Sequence, residues 1–517
     1  MGSQVFWRRA VDEPSWIAAI EPDGTAHTAG DLLARVNQLT HGLRERGLRP
    51  GDGLAILAPN GIAALEVYLA ALQSGWYLTP INWHFTVPEI AYLLRDSEAK
   101  VFVAHERFAA AAAGAADEAG IPASGRISYG TVPGFTPVER VREGQSAGTP
   151  DGRTAGATMH YTSGTTGRPK GVRRQLSGLD PDDAGELSSL LPQLFGITPG
   201  PPNVHLVTSP HYHTAVSVFG GASLMMGHRL VYMDGWDAER ALALVDEHKV
   251  TNTHMVPTHF TRLLALPEET RRRYDVSSMR WILHAAAPCP VGVKRAMLDW
   301  WGPRVYEYYA ATEGGGTLAT PEDWLAKPGT VGKPWPISEI AIFDDEGNRV
   351  EEPGVIGTVY MSMGTADFEY HKDKEKTQKN RIGSFFTVGD VGFLDEDGFL
   401  FLRDRKIDMI ISGGANIYPA EIESVLLSHP KVGDAAVFGI PHEDWGEEVK
   451  AVIEPAEGVE ANDELAQEIL DFCSDKLARF KTPKTIDFTD EMPRDPNGKL
   501  YKRKLRDPYW EGVQRAL

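Results

Sequence analysis

The sequence predicts an α/β protein with a large N-terminal domain of layered α/β subdomains plus a β-rich subdomain, and a small α+β C-terminal domain. Three observations carry this. Short apolar runs alternate with helix-period segments through most of the chain, the rhythm of parallel sheets covered by helices. From Thr358 to Met361 and from Phe393 to Leu402 the pattern changes to alternation with Gly and Asp turns. After Arg405 it changes again, into a unit of about 110 residues, an ordinary domain size. At 517 residues the chain exceeds one compact core, and two or three domains are expected. The boundary falls at Arg405–Asp408, dividing a domain 1–405 from a domain 406–517.

The elements follow in order. Leu32, Leu33, Val36, Leu39 and Leu43 recur at helical spacing, and Gly47 with Pro50 closes that helix. Leu54 to Leu57 is a buried strand, Ile62 to Leu72 a second helix, and Val101 to Ala104 another strand. Ala109 to Ala116 is a low-complexity helix. Ala147 to Ala157, rich in Gly, Thr and Asp, is a loop. Val204 to Thr208, Thr253 to Val256 and Trp281 to Ala285 are strands, with a helix at Ala238 to Val245. The highly charged Asp367 to Arg381 reads as an exposed loop. In the last unit Ile422 to Leu427 and Leu465 to Leu477 are helices; Ala435 to Phe438, Val449 to Ile453 and Ile486 to Phe488 are strands. No repeat of solenoid period is present.

Composition is that of a globular protein, 42% hydrophobic and 24% charged. The 52 basic against 71 acidic residues give −19, which argues against nucleic acid and anionic membrane as partners. Cys289 and Cys473 do not suggest a disulfide framework, and no secretory leader is recognisable, so a cytoplasmic location is expected. No apolar run of about 18 residues is present to span a membrane.

The chemistry concentrates at Tyr161 to Val172, YTSGTTGRPKGV. Gly164, Gly167 and Gly171 let backbone N–H groups turn tightly toward a ligand. Consecutive N–H groups form a concave anion site. Thr162, Ser163, Thr165 and Thr166 add hydroxyls, and Lys170 adds a mobile positive charge. Together they describe a loop that holds a polyphosphate; the plain alternative is a flexible surface loop. Pro169 before the lysine and Gly171 after it exclude the Gly-Lys-Ser/Thr loop that opens a helix in other nucleotide-binding folds.

This stretch resembles the phosphate-binding loop of the acyl-adenylate-forming superfamily, which includes acyl-CoA synthetases, luciferases and peptide-synthetase adenylation domains. The likeness covers almost the whole chain and is greatest to fatty-acyl-CoA synthetases, because further family motifs follow in order. The resemblance implies ATP, Mg²⁺ and coenzyme A as cofactors, and a small-molecule carboxylic acid as substrate.

Residue by residue, it implies that Thr162, Ser163, Gly164, Thr165, Thr166, Gly167 and Lys170 hold the ATP phosphates. His213, in Pro210-His211-Tyr212-His213, stands beside the carboxylate of the acid. Ala286 and Ala287, in the small-residue run after a strand, lie against adenine, where ligands of open α/β sheets bind. In YEYYAATEGGG, from Tyr306 to Gly316, Tyr309 stacks on adenine, Thr312 meets the α-phosphate and Glu313 ligates Mg²⁺, with Thr165 as a second contact. Ala310 replaces the family's usual glycine. In Thr387-Val388-Gly389-Asp390, Asp390 accepts both ribose hydroxyls, and Arg405 joins it; Val388 departs from the family's spacing. Ser412, Gly413 and Gly414 line the pantetheine tunnel. Lys499, after Gly498, bridges the acyl carboxylate and the α-phosphate, where a cation stabilises developing charge. Each of these motifs also has a structural alternative, from tight packing at the alanines to surface solubility at the lysine.

Two steps are implied. A carboxylate displaces pyrophosphate from ATP. The small domain then rotates, and a thiol attacks the acyl-adenylate. Ile407 occupies the family's charged hinge position, between Lys406 and Asp408, so a neighbour serves as hinge or the second step is slow. His84 replaces an arginine near the coenzyme A phosphates, which leaves Phe480, Lys481 and Lys484 as the expected contacts. Val216, Phe219, Gly220, Gly221, Met225 and Gly314 to Gly316, with Gly314 and Gly315 foremost, are expected to line the acid pocket. Their glycines leave room for a fatty, sterol-side-chain or aryl acid. Transfer to coenzyme A is the leading expectation. Loading of a carrier-protein thiol is the alternative, disfavoured by the lack of an insertion near Asp367–Arg381. A non-enzymatic acyl-binding role is opposed by the intact set Lys170, Glu313, Asp390 and Lys499.

Overall fold

The computed structural model describes residues 5–162, 169–364, 368–413, 415–494 and 499–511. Its largest part is built on two sheets with parallel cores. In a six-stranded sheet, Gly53–Leu57 runs parallel to Tyr77–Pro80 on one side and Ala99–His105 on the other. In a nine-stranded sheet, Ile17–Ile20, Arg229–Tyr232, Val204–Val207, Asn252–Met255, Trp281–His284 and Val305–Ala311 lie parallel in that spatial order. Gly314–Ala319 returns antiparallel along Val305–Ala311.

Helices Ala29–Glu45 and Ile62–Leu72 share one core with residues of both sheets. Leu32, Val36, Leu39 and Leu43 are wholly buried there, since a 3.6-residue period sets them on one face. Ile62–Leu72 is apolar nearly all round, as a helix covered on both sides must be. Its exception is Glu66, buried and ion-paired with both Arg35 and Arg142. Tyr129 Oη donates to the same carboxylate at 2.7 Å.

The β-rich part pairs Glu339–Phe343, Gly357–Ser362, Asp390–Leu394 and Leu400–Arg405 antiparallel around Ile340, Val359 and Met361. The alternation expected from Phe393 to Leu402 is thus two strands and a turn. After Arg405, Val432–His442 and Gly446–Pro455 form a long hairpin, with Thr485–Phe488 parallel on its far side. Helices Pro419–Leu426 and Asp463–Ser474 cover it through Ile422, Leu426 and Ile469. No helix among the described residues is long and apolar enough to cross a membrane.

One element departs from expectation. The charged segment 368–381 is not a loop. Glu369–Tyr370 pairs antiparallel with Lys170–Arg173, and Lys374–Lys379 is a helix. Phe368 and Tyr370 are buried, with their rings 5.5 Å apart. They alternate about Glu369, a strand's period of two too short to register among flanking charges.

Glu66→Gln is expected to lower stability by about 2–3 kcal/mol in chemical denaturation, because two partly buried guanidinium groups lose the buried carboxylate they share. An unchanged midpoint would show that the cluster is dispensable.

Candidate active site

The hairpin of His160–Thr162 and Lys170–Arg173 brackets the Gly/Ser/Thr run, with Thr162 in register opposite Lys170. Ser163, Gly164, Thr165, Thr166 and Gly167 lie outside the described residues. Tyr161 Oη donates to Asp96 Oδ2 at 2.8 Å and ties the hairpin to the six-stranded half. Lys170 Nζ is 3.1 Å from Asp373 Oδ2. Asp373 also caps helix Lys374–Lys379 by accepting from Lys376 N at 3.1 Å.

Thr312 and Glu313 occupy the turn between Val305–Ala311 and Gly314–Ala319. Gly314 and Gly315 follow with φ of +128° and +72°, which the turn requires and only glycine adopts readily. Glu313 is 8% exposed, and its Oε1 accepts from Tyr370 Oη at 2.7 Å. Burial, aided by the Glu313 charge, pushes the Tyr370 hydroxyl far up, so it stays a donor. Thr312 Oγ1 lies 3.2 Å from Thr214 Oγ1, and the Thr312 carbonyl accepts from Arg174 Nη2 at 2.8 Å. Carboxylate and hydroxyl oxygens together suit a hard cation. Among the described residues no cluster of three or more His, Cys, Asp or Glu could hold a metal. One carboxylate fits Mg²⁺ carried mainly by phosphate and water oxygens.

His213 precedes helix Thr214–Met225, and its N–H donates to Pro210 O at 3.1 Å. Its Nε2 is shut off from solvent with no hydrogen-bond partner among the described residues. Burial first, then the charges of His160, His254, Lys499 and His84, hold it down to about 3. His213 is therefore neutral near pH 7, and the tail residue Lys499 lies within electrostatic reach of it. Trp83 meets the Tyr212 ring edge-on at 4.7 Å, packing the His84 segment against the same site.

The residues expected at the nucleoside also converge. Tyr309 Oη donates to Asp390 Oδ2 at 2.6 Å, and Arg405 Nε lies 3.4 Å from Asp390 Oδ1. Ala286 has φ +75°, a left-handed conformation uncommon for alanine, just beyond strand Trp281–His284. Ala287 stands beside it, partly buried. Behind the sheet, Lys294 Nζ is 2.6 Å from Glu307 Oε2, a buried pair joining helix Val291–Trp301 to the Tyr309 strand.

The glycines expected to line the acid pocket differ in what stands beside them. Val216, Phe219, Gly220 and Gly221 are buried on helix Thr214–Met225. However, a Cβ at Gly221 would overlap Tyr68 Oη, and one at Gly316 would stand 2.8 Å from the Trp335 ring. At Gly315 it would meet Ser338 Oγ at 3.2 Å, and at Gly314 Arg174 Nη2 at 3.5 Å. Gly221 and Gly316 therefore admit close side chains of the protein itself, whereas a Cβ at Gly220 would meet nothing nearer than 3.9 Å.

The residues expected at coenzyme A sit in the C-terminal part. Ser412 ends strand Ile410–Ser412, and Gly413 N–H donates to Trp445 O at 2.9 Å. Lys484 Nζ is 5.7 Å from the Trp445 ring, which places it in the same neighbourhood. Gly414 lies outside the described residues. Phe480 is exposed, whereas Lys481 Nζ bonds both Glu421 oxygens at 2.8 Å, so its charge is already matched. Sequence reasoning missed Tyr370, Asp373, Arg174 and Thr214. For Tyr370 the available signal was its alternation with Phe368; for Thr214 it was adjacency to His213.

Comparison with known proteins shows the family. Residues 6–365 match the model of the family described as AMP-binding enzyme, and residues 421–499 match its C-terminal domain. The chain is 31% identical to a long-chain-fatty-acid–CoA ligase, FadD13 of Mycobacterium tuberculosis, over 97% of both proteins. It is 29% identical to a fatty acid–[acyl-carrier-protein] ligase, ScoC of Streptomyces coeruleorubidus, over 96% of the chain and 95% of that protein. ATP-bound MatB from Rhodopseudomonas palustris superposes with TM-score 0.82 at 30% identity, over 99% and 100% of the two chains.

The histidines give a pH prediction. Burial holds His160, His205, His211 and His228 near 4, and His213 and His254 near 3, against 6.5 in an open chain. Below pH 6.5 the unfolded chain binds protons that the folded one refuses. Their stabilising contribution is complete above pH 6.5 and declines as pH falls toward 4. Unfolding free energy is expected to drop between pH 7 and pH 5 by up to about 2 kcal/mol per histidine. A flat profile from urea titrations across that window would contradict their neutral burial.

Proposed function

The chain belongs to the AMP-binding enzyme family, and from that premise we propose that it activates a carboxylic acid with ATP and passes the acyl group to coenzyme A. The observation that carries this is the juxtaposition of Thr312, bonded to Thr214 beside His213, with Glu313 on the same turn, and of Asp390 with Tyr309 and Arg405. The acid's carboxylate oxygen attacks the α-phosphorus and the bond to pyrophosphate breaks, giving an acyl-adenylate. The coenzyme A sulfur then attacks the acyl carbonyl, and AMP leaves.

Each side chain has a part. Lys170 neutralises the polyphosphate. Thr312 donates to the α-phosphate, and Glu313 would hold Mg²⁺, which supplies charge neutralisation when bound. The Tyr309 ring lies against adenine beside Ala286 and Ala287, while Asp390 and Arg405 take the ribose. Neutral His213 offers Nε2 to the acid, and Lys499 stabilises the charge that grows at phosphorus. In-line placement rather than a covalent nucleophile does the chemistry.

We divide the chain into domains 1–405 and 406–517, hinged at 406–408. Support comes from the strand Leu400–Arg405, which closes the β-rich sheet, while Ile410–Ser412 opens the next sheet. Charged neighbours anchor the uncharged Ile407: Lys406 Nζ lies 2.6 Å from Asp345 Oδ1 and Asp408 Oδ1 lies 3.5 Å from Arg506 Nη1. Rotation there would withdraw Lys499 and bring the Ser412–Gly413 edge, Phe480 and Lys484 to the adenylate for thiol attack. We assign a fatty, sterol-side-chain or aryl acid, in keeping with FadD13, and a cytoplasmic location, in keeping with two unpaired cysteines. Transfer to a carrier protein is the second reading, favoured by the likeness to ScoC.

A panel of acids, read by pyrophosphate release and by mass analysis of thioester, is expected to yield both products with coenzyme A. Pyrophosphate without the coenzyme A thioester would instead favour a carrier acceptor. Lys499→Ala is expected to slow adenylate formation by about 100-fold or more while sparing thioester formation from supplied acyl-AMP. Equal loss of both steps would contradict the rotation.

A further inference from the structure

The segment 369–379 has no part in the chemistry above, yet it touches that chemistry twice. Its strand is hydrogen-bonded to the one that emerges from the phosphate loop: Val172 pairs with Tyr370, and His371 N–H donates to Gly171 O at 2.8 Å. From this register Tyr370 reaches Glu313 at 2.7 Å and Asp373 reaches Lys170 at 3.1 Å. Lys376 lies between them, its ammonium 4.7 Å from the Tyr370 ring centre.

We propose that this segment is the positioning element of the polyphosphate site: Tyr370 fixes the Glu313 carboxylate for a divalent cation, and Asp373 is the counter-ion that nucleotide must displace from Lys170. The proposal rests on the ligase reading for the roles of Glu313 and Lys170.

A carboxylate on a tight turn has several rotamers. A hydroxyl bonded to Oε1 selects one and leaves Oε2 to face a cation, so the ordering is done before the cation arrives. Tyr370 is itself held: its ring packs on Phe368, and its backbone N–H donates to Thr377 Oγ1 at 3.0 Å. Asp373 acts in the opposite sense. Its pairing with Lys170 is partly exposed, the two side chains being 24% and 23% open to solvent. Such a pair is weak enough for a polyphosphate to break. Until then it keeps the lysine from wandering and from repelling Lys376. One short segment thus favours cation binding through one residue and opposes nucleotide binding through another.

Two conservative substitutions separate these effects. Tyr370→Phe keeps the ring and removes the hydroxyl. Asp373→Asn keeps the helix cap and removes the charge. Each is made in full-length Lys499→Ala protein, which arrests turnover, and ATP binding is followed by calorimetry at graded Mg²⁺. Tyr370→Phe is expected to raise the Mg²⁺ concentration for half-maximal ATP binding about tenfold, the worth of a hydrogen bond to a charged group. Asp373→Asn is expected to bind ATP about fivefold tighter at an unchanged Mg²⁺ midpoint. A segment with a merely structural role would weaken both measurements together and lower the melting temperature. A wild-type Mg²⁺ midpoint in Tyr370→Phe, or ATP bound no tighter by Asp373→Asn, overturns the proposal. If the unsubstituted protein binds ATP with Mg²⁺ but releases no pyrophosphate with any acid, the ligase reading falls, while the same titrations still decide this one.

Discussion

The hydrogen bond between Tyr370 and Glu313 joins elements distant in sequence, and the geometry of the site depends on it. Glu313 lies in the turn between two strands of the nine-stranded sheet; Tyr370 pairs with strand Lys170–Arg173; Phe368 and Phe386 carry that pairing into the β-rich core. A carboxylate so largely removed from water must be hydrogen-bonded. The bond that satisfies it also locks the turn holding Thr312 to the hairpin holding Lys170. A triphosphate needs cation and hydroxyl donors from both. Neither sheet alone could present them at a fixed spacing.

Most of the architecture could be read from local pattern. Helix Ile62–Leu72 runs as its apolar run indicates, because a segment buried on both sides needs no polar face to reveal its ends. Strands Gly53–Leu57 and Trp281–His284 are buried, and their apolar runs mark them out, whereas Tyr77–Pro80 and Arg229–Tyr232 went unread. What escaped was pairing that owes nothing to local preference. Glu369–Tyr370 is a strand only because Lys170–Arg173 supplies its ladder. No window of sequence contains both. The same holds for Asp373 with Lys170 and for Arg174 with the Thr312 carbonyl.

The glycines teach a narrower lesson. Gly221 and Gly316 do mark positions where something comes close, as a missing Cβ allows. The sequence cannot say whether that neighbour is substrate or protein, and here it is Tyr68 and Trp335. The close approach at these two glycines is thus made by aromatic rings from helix Ile62–Leu72 and from the segment after Lys333–Pro334.

Neutral histidines beside a lysine form a coherent electrostatic arrangement. A charged imidazole at His213 would attract the acid's carboxylate in the ground state and at the transition state alike, and uniform attraction of that kind does not speed the chemical step. Burial removes that charge and leaves a nitrogen that, in the proposed reaction, would orient the acid. In the proposed reaction the positive charge would come instead from Lys499, within electrostatic reach of His213, and would face phosphorus as negative charge develops there. A cation useful for expelling pyrophosphate becomes an obstacle afterwards, since it occupies the approach that a thiol must take to the carbonyl. With the domain division proposed above, one rotation would remove it, which gives a physical reason for a catalytic charge on the C-terminal part and a neutral hydrogen-bonding group at the start of helix Thr214–Met225.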